Sequence, residues 1–417
     1  MATREEAVDI LVIGAGPSGC VAASIANKQG YKVKIVERSK FPRFVIGESL
    51  LPKCMADLKE AGFLEVLEKQ NYQKKHGARF IKGEKSCLFN FAEQYTEGWT
   101  WTWQVPRDHF DQVLANEVQK MGVDVAFESS VTAVEFDGSE STTTVVEREG
   151  SSYQIKAKYI IDSSGYGRVL PRLLGLEKKL NSPPRKAIFS HLTDSLRPEG
   201  ADGKQITFVI HKTDVWMWVI PFSNGSTSVG FVGNSDFIDS FTGIDTDDRI
   251  RKMIAEVPQM SERFVSQTTT LPAKQIEAYA VSSKQLYGDG FVITGNSSEF
   301  IDPIFSSGVT FATQSGLLAA KLVGKKLSGE NVDWDNEYAT HLHQGVNTFR
   351  TYVKSWYDGS LQDIFFFTND GEADPANKKI KRQICSVLAG YVWDMSNPFV
   401  RKHEKAVSTL AKVVKMV

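Results

Sequence analysis

Three glycines near the start of the chain have the spacing of a phosphate-binding turn. Gly14, Gly16 and Gly19 form the pattern G-x-G-x-x-G between an apolar run at residues 10–13 and a stretch of small, helix-forming residues. Glycines in such a turn let the backbone approach a pyrophosphate, and the first N–H groups of the helix bind its charge. A second apolar run ends at Glu37, whose carboxylate can accept hydrogen bonds from an adenosine ribose. This order predicts a dinucleotide site; the alternative is a glycine turn that only packs helix against strand.

Two lysines and two tryptophan pairs are a second set of candidate functional residues. Lys74 and Lys75 precede a predicted strand, and two adjacent lysines are by themselves typical of a solvated surface. The pattern W-x-W-x-aliphatic-P occurs twice, beginning at Trp101 and at Trp216. Tryptophans two residues apart on a strand share one face, where they usually belong to the core. Neither pattern assigns a reaction without further context.

The composition limits the classes of function. The chain has 417 residues, more than a typical single core, which predicts two interlocked domains. Its net charge of -1 gives no basic excess for a nucleic acid or an anionic membrane. The four cysteines lack C-x-x-C spacing, so neither a disulfide framework nor a metal site is predicted. Without a signal sequence or an apolar run of roughly 20 residues, we expect a cytoplasmic protein with no membrane span.

The predicted elements bring later segments back to the first strand. An apolar run at 159–162 ends in small residues, and another at 291–294 leads to Gly295 and Asn296. A helix is predicted over 308–327. Short strands between 186 and 275 predict an antiparallel sheet that roofs a substrate pocket. The last eighty residues are helical and rich in aromatic side chains, which are either core residues or a lid over an aromatic substrate.

These motifs together resemble a known superfamily. The first glycine turn with Glu37, the segment 162–165 and the segment 295–297 resemble FAD-dependent monooxygenases of the hydroxybenzoate hydroxylase type. Three further segments resemble flavin-dependent halogenases: 42–49 (PRFVIGES), 216–221 (WMWVIP) and 302–309 (DPIFSSGV). The resemblance covers nearly the whole chain. It is strongest to halogenases of phenolic and carrier-bound pyrrole substrates and to those of flexirubin-type aryl-polyene pigments.

The resemblance implies an α/β fold in which a Rossmann-type FAD-binding domain is interleaved with a β-sheet substrate domain. The FAD-binding domain is predicted at 1–185 and 276–335, with inserted strands at about 72–106. The antiparallel-sheet substrate domain is predicted at 186–275, and a helical C-terminal lid at 336–417.

The resemblance also implies a reaction. Reduced FAD and O2 convert chloride or bromide into hypohalous acid, which a lysine passes to an electron-rich aromatic ring. That lysine corresponds to Lys75, which precedes a Gly-Ala pair at a strand entrance, and Glu48 is placed with it among the catalytic residues. Lys75 either donates a hydrogen bond to hypohalous acid or, with a pKa lowered by burial, forms a haloamine. Trp216 and Trp218 keep the substrate away from the flavin, and the Trp101 segment is expected to line the pocket.

The remaining site residues follow from the same resemblance. Halide is expected at the backbone N–H groups of Ser306, Ser307 and Gly308, where glycine lets the amides point inward. Many relatives carry aspartate where this chain has Asn296, so weaker FAD binding is expected. The predicted FAD-binding residues are Gly14, Gly16, Ser18, Gly19, Glu37, Arg38, Arg43, Ser49, Arg107, Val131, Asp162, Gly165, Gly295, Asn296, Pro303, Gly308 and Val309.

The partners are predicted in the same way. No second dinucleotide fingerprint is visible, so a separate flavin reductase is expected to supply reduced FAD. The substrate is a small aromatic molecule, free or attached to an acyl carrier protein. His341 and His343 are expected to be surface residues. The alternatives are an aromatic hydroxylase or a flavin-dependent reductase of the same fold, and a non-catalytic flavin-binding module.

Overall fold

The computed structural model describes residues 4–178, 185–277, 279–370 and 374–416. The strands are β1 (Arg4–Ile13), β2 (Val33–Val36), β3 (Gln73–Lys75), β4 (Gly77–Lys82), β5 (Lys85–Asn90), β6 (Thr102–Gln104), β7 (Asp124–Ala126), β8 (Ser129–Asp137), β9 (Glu140–Glu147), β10 (Ser152–Asp162), β11 (Glu177–Lys178), β12 (Arg185–Thr193), β13 (Ile206–Lys212), β14 (Val215–Pro221), β15 (Ser226–Asn234), β16 (Thr269–Glu277), β17 (Val281–Ser283), β18 (Tyr287–Gly288), β19 (Phe291–Ile293) and β20 (Glu299–Phe300).

The helices connect these strands and form the C-terminal region. They are α1 (Pro17–Lys28), α2 (Cys54–Ala61), α3 (Leu64–Glu68), α4 (Arg107–Lys120), α5 (Val169–Leu173), α6 (Ser235–Ser240), α7 (Thr246–Ala255), α8 (Pro258–Phe264), α9 (Gly295–Ser298), α10 (Gly308–Leu327), α11 (His341–Tyr357), α12 (Ser360–Asp370), α13 (Pro375–Leu388), α14 (Pro398–Arg401) and α15 (His403–Val414). The predicted helix at 308–327 is confirmed as α10. Across the described ranges, no helix combines the length and the apolar character needed to cross a bilayer.

The first sheet contains the parallel strand–turn–helix–strand unit that the glycine turn predicted. It has eight strands, with the path β18-β19-β10-β1-β2-β7 and the hairpin β8-β9 attached to β10. The pairs β19-β10, β10-β1, β1-β2 and β2-β7 are parallel. The inner strands are apolar and buried on both faces, as in other parallel sheets covered by helices. The predicted α/β fold with a Rossmann-type domain is confirmed.

The register of this sheet brings three distant motifs to one edge. Ile13 lies beside Val36 on one side and beside Asp162 on the other, and Asp162 lies beside Ile293. Each of these residues ends its strand, so the loops that follow all leave from the same carboxyl edge. Ligands of open α/β sheets bind at this edge, where the loops diverge.

The second sheet has seven strands in the order β16-β12-β15-β14-β13-β4-β5. Its neighbouring strands are antiparallel except for the parallel pair β13-β4. One face packs on α7 and α8 through a cluster that includes Met217 and Val219. The other face carries Trp216 and Trp218. Within the inserted segment 72–106, β4 and β5 therefore join the second sheet, while β3 and β6 pair with each other.

The C-terminal helices pack on the face of the second sheet that carries Trp216. Their aromatic side chains are mostly buried, including Tyr352, Trp356 and Phe365. The prediction of surface histidines is wrong for His341, whose ring is partly buried and stacks on Trp393 with centroids 5.2 Å apart. His343 is exposed.

Candidate active site

The three glycines of the turn differ in how much space surrounds them. Gly14 has a φ of +99°, and a Cβ there would lie 2.6 Å from the Ser163 carbonyl oxygen. A Cβ on Gly19 would lie 1.9 Å from the Gly14 carbonyl oxygen. A Cβ on Gly16 would instead meet only the Arg43 guanidinium, at 3.6 Å. Gly14 and Gly19 are therefore required for packing, whereas Gly16 leaves the N-terminus of α1 open to an anionic ligand.

Glu37 fixes the two loops at the start of the site. Its carboxylate is 5% exposed and accepts the N–H of Ala15 at 3.0 Å and the N–H of Ser39 at 2.8 Å. One contact holds the glycine turn and the other holds the loop after β2. The carboxylate thus lies at the carboxyl edge of the sheet, where a ribose would accompany a pyrophosphate on α1.

A cavity of about 360 Å³ lies between the two sheets, which is within the usual range for a small-molecule site. The predicted site residues that line it are Gly16, Ser18, Glu37, Arg38, Arg43, Glu48, Ser49, Arg107, Gly165, Trp216, Trp218, Gly295, Asn296, Pro303, Ser306, Ser307, Gly308 and Val309. Gly14 and Val131 line a neighbouring cavity of about 280 Å³, which shares Glu37 and Arg38 with the first. The two cavities together form an elongated site, as a dinucleotide requires.

Asp162 lies behind the cavity wall. Its buried carboxylate accepts the N–H groups of Ser164 and Leu170 and the hydroxyl of Ser297. Burial raises the pKa of this carboxyl above its ordinary value. Asp162 therefore holds the loop after β10 and the helix α9 in fixed positions beside the cavity.

Two arginines of the wall share one buried carboxylate. Arg107 binds Asp111 through Nε at 2.9 Å and Nη2 at 3.0 Å, and Arg43 binds the same carboxylate through Nη1 at 2.9 Å. Arg107 also donates from Nη1 to the carbonyl oxygens of Ile46 and Gly47. Asp111 was not predicted as a site residue, although its spacing of four from Arg107 on one helix was a usable signal.

The loop before α10 lines the cavity with Ser306, Ser307 and Gly308. Ser306 is left-handed, with φ 56°, and Ser307 is right-handed, with φ -76°. Successive residues of opposite hand turn their N–H groups to one side and form an anion nest. In the described part of the chain, the N–H groups of Ser307 and Gly308 have no backbone acceptor.

The role assigned to Gly308 needs correction. Gly308 does not have a positive φ, and the residue that turns the loop is Ser306. A Cβ on Gly308 would lie 3.2 Å from the Phe300 ring. A side chain at this position would therefore crowd the Phe300 ring, whereas the backbone conformation there does not require glycine.

Trp216 and Trp218 form one wall of the cavity. Both are buried, on the same face of β14, with ring centroids 5.9 Å apart. The Trp218 ring lies over Gly230, where a Cβ would be 2.3 Å from it. Trp216 Nε1 donates to the Tyr357 hydroxyl at 3.0 Å, which in turn donates to Asp302 Oδ2 at 3.0 Å. The indole wall is thereby tied to the beginning of the loop at 302–309.

The Trp101 segment does not line this cavity. The described residues of the cavity wall include no member of 99–104. The Trp101 ring lies under Lys74, with Nζ 4.6 Å from the centroid, and packs edge-on against Trp103. The same W-x-W pattern has a different environment here because β6 pairs with β3 outside the second sheet.

Lys75 is a buried amine. Its side chain is 1% exposed, and Nζ donates to Ser49 Oγ at 2.9 Å and to the Leu50 carbonyl oxygen at 2.8 Å. Among the described residues it forms no ion pair, and burial lowers its pKa to about 7. Lys75 does not line the cavity itself but contacts Ser49, which does. Lys74, on the opposite face of β3, is exposed.

Glu48 lies on the cavity wall with one free carboxylate oxygen. It is 1% exposed, its Oε1 lies 2.6 Å from His191 Nε2, and its Oε2 has no hydrogen-bond partner in the described ranges. His191 lies on β12, 143 residues away, and was not identified from the sequence. No local spacing connects the two residues.

The fold and the site define a FAD-binding protein. The open N-terminus of α1, the carboxylate of Glu37 and the elongated cavity at the carboxyl edge fit a dinucleotide cofactor. In agreement with this geometry, residues 7–289 match the model of the family described as FAD binding domain. The chain belongs to this family.

Three relatives extend the comparison. A crystal structure described as a flavoprotein/dehydrogenase from Cytophaga hutchinsonii is 52% identical, with a TM-score of 0.95 and 99% coverage of both chains. The 1H-pyrrole-2-carbonyl-(peptidyl-carrier protein) chlorinase of Pseudomonas fluorescens is 28% identical, over 84% of this chain and 82% of that protein. The tryptophan 2-halogenase of Chondromyces crocatus is 29% identical, over 86% of this chain and 70% of that protein.

These comparisons confirm the predicted resemblance. The protein is a FAD-dependent enzyme whose sequence relatives are flavin-dependent halogenases. They do not assign its substrate.

Proposed function

We propose that the protein halogenates an electron-rich aromatic ring, using reduced FAD, O2 and chloride or bromide. The observation that carries this proposal is the buried amine of Lys75, which has no ion-pair partner among the described residues. Lys75 contacts Ser49 at the wall of the cavity that Trp216 and Trp218 close. A hydroxylase, which transfers oxygen directly to a substrate beside the flavin, has no use for such an amine.

The cofactor would be held along the carboxyl edge of the first sheet. The N-terminus of α1 at Gly16 would bind the pyrophosphate, and Glu37 would face the ribose. Arg43 and Arg107 would stand along the wall, and the amide of Asn296 would accept a hydrogen bond from the ribityl chain. When bound in its reduced form, FAD supplies the electrons that activate O2.

The halide would bind at the anion nest before α10. The N–H groups of Ser307 and Gly308 would hold chloride or bromide through partial charges, supported by the N-terminus of the 20-residue helix α10. Neutral donors suit a halide that must leave as part of hypohalous acid, since a fixed cation would hold it more tightly.

Lys75 would act after hypohalous acid has formed. Because burial lowers the pKa of Lys75 to about 7, a neutral amine is accessible at neutral pH. A neutral amine can take the halogen from hypohalous acid, so that an N–H bond and the O–halogen bond break while an N–halogen bond and water form. Transfer to the ring then replaces a ring C–H by C–halogen and restores the amine. The alternative role is a protonated Lys75 that polarises hypohalous acid by a hydrogen bond.

The substrate is proposed to be phenolic or aryl-polyene-like, either free or attached to an acyl carrier protein. The chlorinase of Pseudomonas fluorescens is named for a pyrrole on a peptidyl carrier protein, which supports a carrier-bound substrate. Reduced FAD is proposed to come from a separate flavin reductase. The four cysteines are buried thiols, which is compatible with the reducing cytoplasm, where we propose that the enzyme works.

The test is mass spectrometry of the complete reaction. The purified protein is supplied with FAD, NADH, a flavin reductase, O2 and chloride or bromide, together with a panel of free and carrier-bound phenols. We expect products that gain the halogen isotope pattern and require both O2 and halide. Products that gain only oxygen would identify a hydroxylase, and reduction without O2 would favour a flavin-dependent reductase. Absence of turnover over the whole panel would favour a non-catalytic flavin-binding module.

A further inference from the structure

The contact between Glu48 and His191 joins two separate cavities. Glu48 lines the cavity between the sheets, and its Oε2 atom is buried without a partner in the described ranges. His191 lines another cavity, of about 370 Å³, on the other side of the wall. It is separate from the two cavities of the cofactor site and is called the second cavity below. The Oε1–Nε2 distance of 2.6 Å is that of a short hydrogen bond between charged or titratable groups.

The second cavity gives His191 access to water. The His191 side chain is 13% exposed, whereas the Glu48 side chain is completely buried. Polar residues of the second cavity include Thr193, Asn224 and Ser226. The Phe44 ring belongs to the walls of both cavities and closes the space beside the hydrogen bond, with its centroid 5.8 Å from the imidazole. A proton can therefore cross the wall through Glu48 and His191 more easily than water can.

The proposed reaction needs such a route. Halogenation of one ring C–H with reduced FAD, O2 and halide ion consumes one proton and produces oxidised FAD and two water molecules. The reaction occurs in a cavity whose wall is largely apolar at Trp216 and Trp218. A proton must therefore reach this cavity in each turnover.

We propose that His191 and Glu48 form a proton relay from the second cavity to the cofactor cavity; this proposal rests on the proposed function. The protonated imidazole gives the proton on Nε2 to the Glu48 carboxylate. The carboxyl group then turns about its Cγ–Cδ bond, releases the proton into the cofactor cavity and becomes a carboxylate again. Nδ1 keeps its proton, and Nε2 is reprotonated by a water molecule from the second cavity after the ring moves. Glu48 contacts the reaction space, and His191 acts through Glu48.

Other charged groups surround the relay but do not replace it. Asp108 of α4 lines the second cavity, and Lys274 of β16 lies over the Phe44 ring, with Nζ 4.5 Å from the centroid. Arg107 donates to the carbonyl oxygens of Ile46 and Gly47 next to Glu48. Of these groups, the described contacts give only His191 a hydrogen bond to Glu48.

The first test does not depend on turnover. Protein labelled with ¹⁵N-histidine is examined by NMR, with oxidised FAD bound and without it, and the His191 signal is assigned with His191→Gln. We expect a strongly deshielded Nε2–H proton from the 2.6 Å contact with Glu48 in the wild type, and an upfield shift of this proton in Glu48→Gln, because an amide oxygen is a weaker acceptor than a carboxylate. The same Nε2–H signal in Glu48→Gln as in the wild type would overturn the relay, whether or not the protein halogenates any substrate.

The second test uses the pH profile of turnover. His191→Gln keeps an amide donor for Glu48 but cannot carry a proton, so we expect product formation to be at least about tenfold slower over the pH range tested, with partial rescue by added imidazole. His211→Gln removes another partly buried histidine of the same sheet and should behave like the wild type. FAD affinity should stay within about twofold in both variants. A wild-type pH profile for His191→Gln would overturn the relay, whereas loss of product in the wild type itself would contradict the proposed function.

Discussion

Lys75 Nζ lies 2.9 Å from Ser49 Oγ, and Ser49 is the residue that reaches the cavity. Ser49 therefore lies between the amine and the space where the cofactor and halide would meet. Ser49 is followed by Leu50, whose carbonyl oxygen is the second acceptor of the amine. Both acceptors belong to the segment that also carries Glu48. The position of the amine thus depends on the loop that forms the cavity wall.

Removal of the Lys75 amine should abolish halogenation without abolishing cofactor binding. We expect Lys75→Ala to bind FAD and to consume O2 with reduced FAD, but to form less than about one hundredth of the wild-type product. Lys75→Arg should fail as well, because a guanidinium does not become a neutral amine. Product is measured by mass spectrometry and O2 uptake with an electrode.

Lys74→Ala is the matched control for this comparison. Lys74 is exposed on the opposite face of β3 and contacts only the Trp101 ring in the described cation–aromatic pairs. We expect it to keep most of its activity. An inactive Lys74→Ala variant would show that the catalytic position is misassigned. So would a Lys75→Ala variant that forms nearly as much halogenated product as the wild type.

The burial of Lys75 should appear in the pH dependence of stability. The folded-state pKa is lowered to about 7 from 10.5, so the buried charge destabilises the fold fully below pH 7 and the cost declines as pH rises to 10.5. Lys75→Met removes this charge. We expect its gain in the free energy of unfolding to be larger at about pH 6 than at about pH 9.5, by roughly 3 kcal/mol.

Urea denaturation at the two pH values measures this difference. The pH-dependent part is the relevant quantity, since methionine also leaves Ser49 and the Leu50 carbonyl without a donor. Lys74→Met should show no comparable difference. Equal gains for Lys75→Met at both pH values would mean that the amine keeps an ordinary pKa in the folded protein.

Gly16 and Gly14 should respond differently to a side chain. At Gly16 the Cβ position is open, so Gly16→Val is expected to fold but to bind oxidised FAD at least about tenfold more weakly, because the isopropyl group enters the pyrophosphate position. Gly14→Val should instead lower the melting temperature, since φ is +99° and the Ser163 backbone is too close. Flavin fluorescence titration and thermal denaturation separate the two effects. Unchanged FAD affinity in Gly16→Val would contradict the assignment of the cofactor site.

The contact between Trp216 and Tyr357 should affect halide use. Tyr357→Phe removes the hydroxyl that joins Trp216 to Asp302, so we expect a loss of about 1–3 kcal/mol in stability. Because Asp302 also accepts the Ile304 N–H at the start of the nest loop, the KM for halide should rise more than the Kd for FAD. Tyr279→Phe, which removes a contact to Asp302 but none to Trp216, is the control. Equal effects of the two variants on halide KM would exclude a specific role for the Trp216 contact.

NADH alone is expected not to reduce the bound flavin at a useful rate. The sequence has no second dinucleotide fingerprint, and the two cavities on the carboxyl edge of the first sheet share residues of one site. Anaerobic mixing of the FAD-loaded protein with NADH, followed by flavin absorbance, measures the rate with and without an added reductase. Rapid bleaching by NADH alone would favour the hydroxylase alternative.

The sequence predicted those parts of the site that depend on one element and its neighbours. The spacing of Gly14, Gly16 and Gly19 is a local pattern, and the parallel register then brings Asp162 and Ile293 to the same edge. The helix that begins at Gly308 was likewise visible in its own residues. For such elements, the chemistry of the turn and the apolar period contain the necessary information.

The other parts depend on contacts between distant residues. Glu48 and His191 are 143 residues apart, and Trp216 and Tyr357 are 141 residues apart. Trp101 and Trp216 share a local pattern, but strand pairing gives them different environments. One sequence contains no signal for these pairings, because each depends on which strands become neighbours.

The order in which the chain is synthesised has a consequence for its folding. The central strand β1 is made first, but its neighbour β10 follows only at residues 152–162 and β19 at residues 291–293. The cavity also needs Gly308 at the start of α10. A ribosome-bound chain must therefore wait with unpaired parallel strand edges until about three quarters of its length has been synthesised. We expect folding to be slow and largely post-translational, with cofactor binding as its last step.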